Sequence, residues 1–396
     1  MGSAPRASVI GCWVLDVFPS SMNANLSTTR DDPRTLVVVF LRGAADGLTL
    51  VAPIADDNYH KFRPRLAVKS SEAVRLDDTF GFHPNLRALE PAWKDGDLAI
   101  IHSAGGESDS RSHFEAQDLM EHGGIAAGGW LARFLRARGP SQSPLSAVAL
   151  SATLPESLSG APSAAALQSL DEFSIAEKAG KVKDEFTREL NRLYAREQGP
   201  LRDAATSTFE AMRRIESIDA HAKPANGAEY DEKDSFSQGL RQVAQLIRAD
   251  VGLDAASVDL HGWDTHFVQQ SGIEPLMLRL ANGLAAFRRD LGPRMSTTTV
   301  VVMTEFGRRV AENGSFGTDH GRGGVSFVMG GGVKGGRVLG GWPGLKPEML
   351  DGPGDLPVIN NYRNILAPVL ARHGATPEGL ASIFPDFTLN PLGLYA

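Results

Sequence analysis

The chain has 396 residues, 42% hydrophobic and 22% charged, the balance of a globular protein with core enough for one large α/β domain or two modest ones. A net charge of -7 and a pI near 5.8 argue against sequence-independent nucleic-acid binding, which runs on basic patches, but admit an anionic small substrate, because the field at a site can oppose the net charge. The single cysteine, Cys12, excludes an intramolecular disulfide, and no apolar run approaches the ~20 residues of a membrane span.

From the amino end, Ala7 to Phe18 is apolar but broken by Asp16, with only Arg6 upstream. A secretory signal wants a basic start and a clean apolar stretch of roughly 7–15 residues. Residues 1–33 are therefore expected to be disordered or a vestigial targeting segment. Thr35 to Leu41 (TLVVVFL) is a β-branched run, the pattern of a strand buried on both faces. It stops at a loop of small residues, Arg42 to Gly47, with Asp46 just past the strand. Asp46 is either a turn aspartate before glycine or a group at a site. Pro84 opens an expected helix over Asn85 to Trp93. Asp97 to Ser103 is a second buried strand, and His102 within it reads as a packed core residue. A glycine loop then leads to Ser112-His113-Phe114, where a helical pattern begins and runs to Glu121. Ser112 would expose a hydroxyl beside backbone N–H groups, a setting for a nucleophile, or would simply cap the helix.

Leu145 to Leu150 is a weaker third strand. A mostly helical insertion is expected over about residues 155–250, with amphipathic patterns at Asp184 to Gln198, Leu201 to Ile218 and Asp231 to Asp250. Ala255 to Leu260 returns to strand character and ends on His261-Gly262-Trp263-Asp264-Thr265-His266. An Asp-x-His at a strand end, with another histidine three residues before the aspartate, is a dense ligand set for a divalent cation. Glu274 to Arg289 is an amphipathic helix, and Thr298 to Met303 is another buried strand, followed by Thr304-Glu305-Phe306-Gly307-Arg308. A short loop delivers Thr318-Asp319-His320-Gly321 ahead of Val325 to Met329. Two strands thus aim these groups at one sheet edge, and parallel α/β sheets hold ligands beyond their strand ends. Gly330 to Gly336 lacks P-loop spacing and reads as a turn, and Asn361 to Arg372 is the last helix.

Collected, the strand-end polar groups are Asp46, Ser112, Asp264, His266, Glu305, Arg308, Asp319 and His320. Carboxylates and imidazoles converging on one rim repel or stay unsatisfied unless something positive sits among them. One or two divalent ions (zinc, manganese, calcium or magnesium) would answer that, with Asp46, Asp264, His266, Glu305, Asp319 and His320 as ligand candidates. Ser112 would attack, and Arg308 would clamp the equatorial oxygens of a phosphoryl- or sulfuryl-like group.

Leu41-Arg42-Gly43-Ala44-Ala45-Asp46-Gly47, Arg111-Ser112-His113-Phe114, Gly262-Trp263-Asp264-Thr265-His266, Thr304-Glu305-Phe306-Gly307-Arg308 and Gly317-Thr318-Asp319-His320-Gly321 resemble, in order, the family catalogued as domain of unknown function 1501. The likeness spans about residues 35 to 395 and includes Tyr362-Arg363 and Phe384-Pro385. It implies a bacterial, exported protein, periplasmic or secreted. It also implies the alkaline phosphatase/sulfatase-like fold over residues 34–396: a three-layer α/β/α sandwich with a mainly parallel sheet. By position, Asp46 matches that superfamily's first metal aspartate, Ser112 its nucleophile, Asp264 and His266 a metal-binding pair, and His320 the late histidine. Three departures stand out: Glu305-Phe306 replaces an Asp-His pair, no twin-arginine signal is present, and Asn361 stands where the family often has Asp. The missing signal keeps a cytoplasmic location as the alternative.

The function this implies is metal-dependent hydrolysis of phosphate or sulfate esters, on an anionic small molecule or a sulfated or phosphorylated glycan. The Glu305-Phe306 departure favours an alternative, a non-catalytic envelope protein that binds polysaccharide or a protein partner. A metal-free esterase using Ser112 with His113 or His320 fits a carboxylate-rich set less well.

Overall fold

The computed structural model describes residues 34–139, 143–170 and 222–395, with parts of the stretch 188–218. The expectation for residues 1–33 lies outside the described residues. The expected strands become the central strands: β1 (Thr35–Arg42), β5 (Leu98–Gly105), β8 (Ala255–His261), β9 (Thr298–Met303) and β10 (Gly324–Gly330). Shorter strands β6 (Ala147–Ala149), β7 (Ala165–Ala166), β11 (Arg337–Leu339) and β12 (Asn360–Asn361) complete one open sheet in the order β11-β5-β10-β9-β1-β8-β6-β7, with β12 paired to β5. The remaining strands, β2 (Val51–Ala52), β3 (Val74–Arg75) and β4 (Gly81–Phe82), form a small second sheet.

Alternate residues of β1 face opposite ways, as a period-2 strand requires. Val37, Val39 and Leu41 join a cluster with Phe236, Leu240, Leu276, Leu280 and Phe287, from helices Ser235–Arg248 and Gln269–Leu291. Leu36, Val38 and Phe40 join another with Trp130, Phe134, Leu366 and Val369, from Trp130–Ala137 and Tyr362–Arg372. The result is a mixed α/β fold with a largely parallel central sheet.

One strand runs against the rest. β10 pairs antiparallel with both β5 and β9, whereas β1, β8, β6 and β9 pair parallel. Parallel neighbours need a crossover, usually a helix. No helix lies between Met303 and Gly324, so the chain turns back at the rim instead. The carboxyl ends of β1, β5, β8 and β9 and the amino end of β10 therefore share one edge.

Two expectations change. The helix expected over Asn85 to Trp93 is a 3-10 segment, Pro84–Leu89, followed by a short α-helix, Glu90–Lys94. Pro91 has no N–H to continue the first piece, so a new first turn begins there. The stretch 155–250 also supplies sheet strand β7, and Ser235–Arg248 buries Phe236, Leu240 and Val243 against the sheet. His102 is fully buried, with Nε2 2.8 Å from the Val51 carbonyl oxygen, and burial pulls its pKa down to about 4.

Candidate metal centre

Asp264, just beyond β8, is the hub of the rim. Its Oδ1 accepts from Arg308 Nη2 at 2.8 Å and lies 3.0 Å from His266 Nε2 and 3.1 Å from His320 Nε2. Its Oδ2 lies 3.4 Å from His113 Nε2. His113, Asp264 and His320 present ligand atoms within 4.8 Å of one another, and His266 Nε2 approaches His320 Nε2 to 2.9 Å. Two glycines let these loops close up. A Cβ on Gly43, at φ +116°, would fall 2.5 Å from the Asp264 nitrogen, and one on Gly317 would fall 2.2 Å from the His266 carbonyl oxygen.

Each imidazole is turned by an acceptor behind it. His113 Nδ1 donates to Glu305 Oε1 at 2.8 Å, and His320 Nδ1 donates to the Arg111 carbonyl at 2.8 Å. Those partners only accept, so Nδ1 carries the proton and the Nε2 of a neutral ring aims a lone pair at Asp264. His266 Nδ1 faces Asp319 Oδ1 at 3.6 Å. Metal-ligating histidines are oriented in just this manner, with a carboxylate or carbonyl on the far nitrogen.

Electrostatics follow the same arrangement. Burial pushes the Asp264 carboxyl up, but the hydrogen bond and charge of Arg308 and the nearby imidazoles more than reverse it, so it lies well below the usual range. Glu305 is buried, yet bonds from His113 and Gln117 hold it below its ordinary value. In return its hydrogen bond raises His113. Burial lowers His320, and the charges of Arg308 and His113 add to that. A proton on His320 is thus disfavoured although its Nε2 lone pair faces a carboxylate oxygen.

The other expected site residues take varied positions. Glu305 stands behind His113 and also accepts from the Gly43 N–H at 2.9 Å, so it supports a ligand candidate and does not itself face the cluster. Phe306 stacks on His113 at 5.0 Å and lies 5.0 Å from His320, forming an apolar floor with Ala44 and Ala116. Asp319 accepts from Asn313 Nδ2 at 3.1 Å. Ser112 is exposed in the N-cap position of helix His113–His122, but its side chain makes no capping bond.

Asp46 and Arg308 are placed differently from what the motifs lead one to expect. Asp46 Oδ2 is engaged by Arg63 Nη1 at 2.6 Å, Thr49 Oγ1 at 2.7 Å and Gln269 Nε2 at 2.6 Å, while Oδ1 caps the helix Gly47–Leu50. A guanidinium occupies the place a cation would need. Arg308 is buried, and its nitrogens donate to the carbonyls of Ala44, Gly43, Trp263 and Thr318 as well as to Asp264. It ties three loops together and keeps no nitrogen free for substrate oxygens.

Sequence reasoning missed His113 as a ligand candidate and Gln117 altogether. A signal was present: His113, Gln117 and Glu121 recur every four residues and so share one helix face. Gln117 Nε2 donates to Glu305 Oε1 at 2.8 Å while its Oε1 accepts from Arg42 Nη1 at 3.1 Å, and Arg42 pairs with Glu121 at 3.1 Å. Gln117→Ala should weaken divalent-cation affinity by about 10–100-fold, as loss of outer support does at metal sites. Competition with a chelating dye measures this, and unchanged affinity would remove Gln117 from the support of the site.

The residues fit a divalent cation. His113 Nε2 is buried without a hydrogen-bond partner, and three imidazole nitrogens and one carboxylate converge. Among the described residues, His113, Asp264 and His320 are the one His/Cys/Asp/Glu group whose ligand atoms all lie within 4.8 Å of one another.

No curated protein matches the chain. Among solved structures it is similar to the C-terminal periplasmic domain of EcEptC from Escherichia coli, crystallised in complex with Zn, at 10% identity and a TM-score of 0.39, covering 91% of this chain and 88% of that one. It is also similar to Ps i-CgsB, crystallised in complex with k-i-k-neocarrahexaose, at 12% identity and a TM-score of 0.36, covering 88% of this chain and 74% of that one. Likeness this low identifies no function. The family model described as Protein of unknown function (DUF1501) matches residues 33–378, and the chain belongs to that family.

Proposed function

We propose that the protein hydrolyses phosphate or sulfate esters with the help of a single divalent cation held by His113, Asp264, His266 and His320. The observation that carries this reading is the approach of three Nε2 atoms to one carboxylate, 3.0–3.4 Å away, with two of the rings held by acceptors that leave Nε2 unprotonated. A nitrogen-rich set suits zinc ahead of calcium or magnesium, which prefer oxygen. The pairing of Asp46 with Arg63 argues for one ion, not two.

A bound divalent ion supplies Lewis-acid charge to an anionic ester. The chain's own residues do the rest. Glu305, the Arg111 carbonyl and Asp319 orient the imidazoles, and Arg308 fixes the Asp264 carboxylate. The exposed Ser112 hydroxyl, one residue before His113, would bond to the phosphorus or sulfur as the bond to the alcohol breaks, its proton leaving with the alcohol, and water would then hydrolyse the covalent ester and restore the serine. Residence outside the cytoplasm belongs to the same reading and rests on the family resemblance. Among the described residues no helix is long and apolar enough to cross a membrane.

Ser112→Ala should keep its metal and lose at least about 10³-fold in kcat on 4-nitrophenyl phosphate or sulfate. Full turnover in that variant would end the serine's part in the mechanism. The second reading, a non-catalytic glycan- or protein-binding role, is favoured by the fully engaged Arg308. Metal-loaded protein with no turnover on any ester, and a Tm that falls on chelation, would support it.

A further inference from the structure

The sequence contains 18 phenylalanines, and among the described residues only Phe114, Phe267 and Phe316 are exposed, at 90%, 74% and 47%. Phe114 lies in the first turn of helix His113–His122, and Phe267 and Phe316 lie on the loops that carry His266 and His320. Phe114 directly follows His113, Phe267 directly follows His266, and Phe316 precedes Asp319-His320 by three residues. Val268 beside them is also 58% exposed. The other described phenylalanines are buried or half-buried.

The backbone is strained at two of these positions. Val268 and Phe316 adopt φ of 43° and 61°, in the left-handed region where β-branched and bulky residues are strained. Such strain persists only where surrounding structure enforces it, and it gathers at ligand sites. Here the enforcement is visible. Val268 N–H donates to the Ser315 carbonyl at 3.0 Å, Gln269 N–H to the Phe316 carbonyl at 2.9 Å, and Asn313 Nδ2 to the His266 carbonyl at 3.1 Å. The Arg65 guanidinium stands 4.4 Å over the Phe316 ring.

We infer that Phe114, Phe267 and Phe316 form an aromatic rim that receives the alcohol part of the ester, and that this alcohol carries a flat apolar ring. The inference rests on the ester-hydrolase reading and names its substrate class. Phenyl faces recognise flat apolar groups by stacking and edge contact, whereas a small polar alcohol offers them nothing. The rings of His113 and His266, directly ahead of Phe114 and Phe267, lie 4.4 and 4.5 Å from the His320 ring, centroid to centroid, so both phenylalanines are one residue from the cluster.

The test compares 1-naphthyl phosphate with methyl phosphate on the zinc-loaded wild type and on Phe114→Ser/Phe267→Ser. These positions are exposed, so the variant should keep its fold and metal content. The expected result is a KM for the naphthyl ester raised by about tenfold or more, with the methyl ester unchanged. Equal shifts for both esters, or none, would overturn the rim. So would wild-type self-association that the variant abolishes without altering KM. Should the wild type cleave neither ester, the hydrolase reading fails by itself. Direct calorimetric binding of 1-naphthyl phosphate then judges the rim: weaker binding in the variant upholds it, and equal binding overturns it.

Discussion

Asp264→Ala should reduce the metal content of the purified protein from roughly one ion per chain to background, because every other ligand candidate is arranged around that carboxylate. His266, His320 and His113 lie 3.0, 3.1 and 3.4 Å from its oxygens, so its loss leaves three imidazoles with no common partner. The cost to stability should be small beside this. Arg308 loses one acceptor but keeps the carbonyls of Gly43, Ala44, Trp263 and Thr318. Asp264 is 46% exposed, so about 1–2 kcal/mol is expected, the low end for a hydrogen bond to a charged group. Elemental analysis and thermal unfolding of the same preparation separate the two effects. Stoichiometric metal in Asp264→Ala would place the ion elsewhere.

Arg63→Met should do the opposite, leaving metal content intact while lowering Tm on the order of 10 °C. Arg63 and Asp46 are 0% and 2% exposed, and breaking a buried pair from one side strands the remaining charge, at about 3–5 kcal/mol. The pair also sets a pH dependence. Burial opposes ionisation of Asp46, but the Arg63 charge and bonds from Arg63, Thr49 and Gln269 win, and its pKa is lowered. A lowered folded pKa contributes stability that is present above the unfolded value of about 4 and is lost as pH falls through the folded one. Wild type should therefore lose stability below about pH 4, and Arg63→Met should lose less over that window. Circular-dichroism melts from pH 7 to pH 3 give the comparison. A parallel loss in both proteins, or metal missing from Arg63→Met, would return Asp46 to the cation site.

Much of the scaffold was legible in the sequence. Continuous β-branched runs at Thr35 and Thr298 marked strands buried on both faces, since only such strands need no polar alternation, and the stretches at Asp97 and Ala255 also read as strands. Their ends carried the polar motifs, so one rim could be named as the place for chemistry. Ligand candidates Asp264, His266 and His320 were legible for that reason, and the structure brings them together.

What each side chain does at that rim depended on the tertiary structure. The partner of Asp46 comes 17 residues later, and Arg308 finds two of its acceptors on a loop more than 200 residues away in sequence. Spacing along a chain carries no information about such meetings. Choosing between Ser112 and His113 required knowing which of two adjacent residues the helix start turns inward, and placing Glu305 behind a histidine required the register of β9 against β1. Local periodicity determines strands because backbone pairing repeats every two residues. A cluster of imidazoles around one carboxylate is set by loop closure and side-chain rotamers, which no repeat encodes.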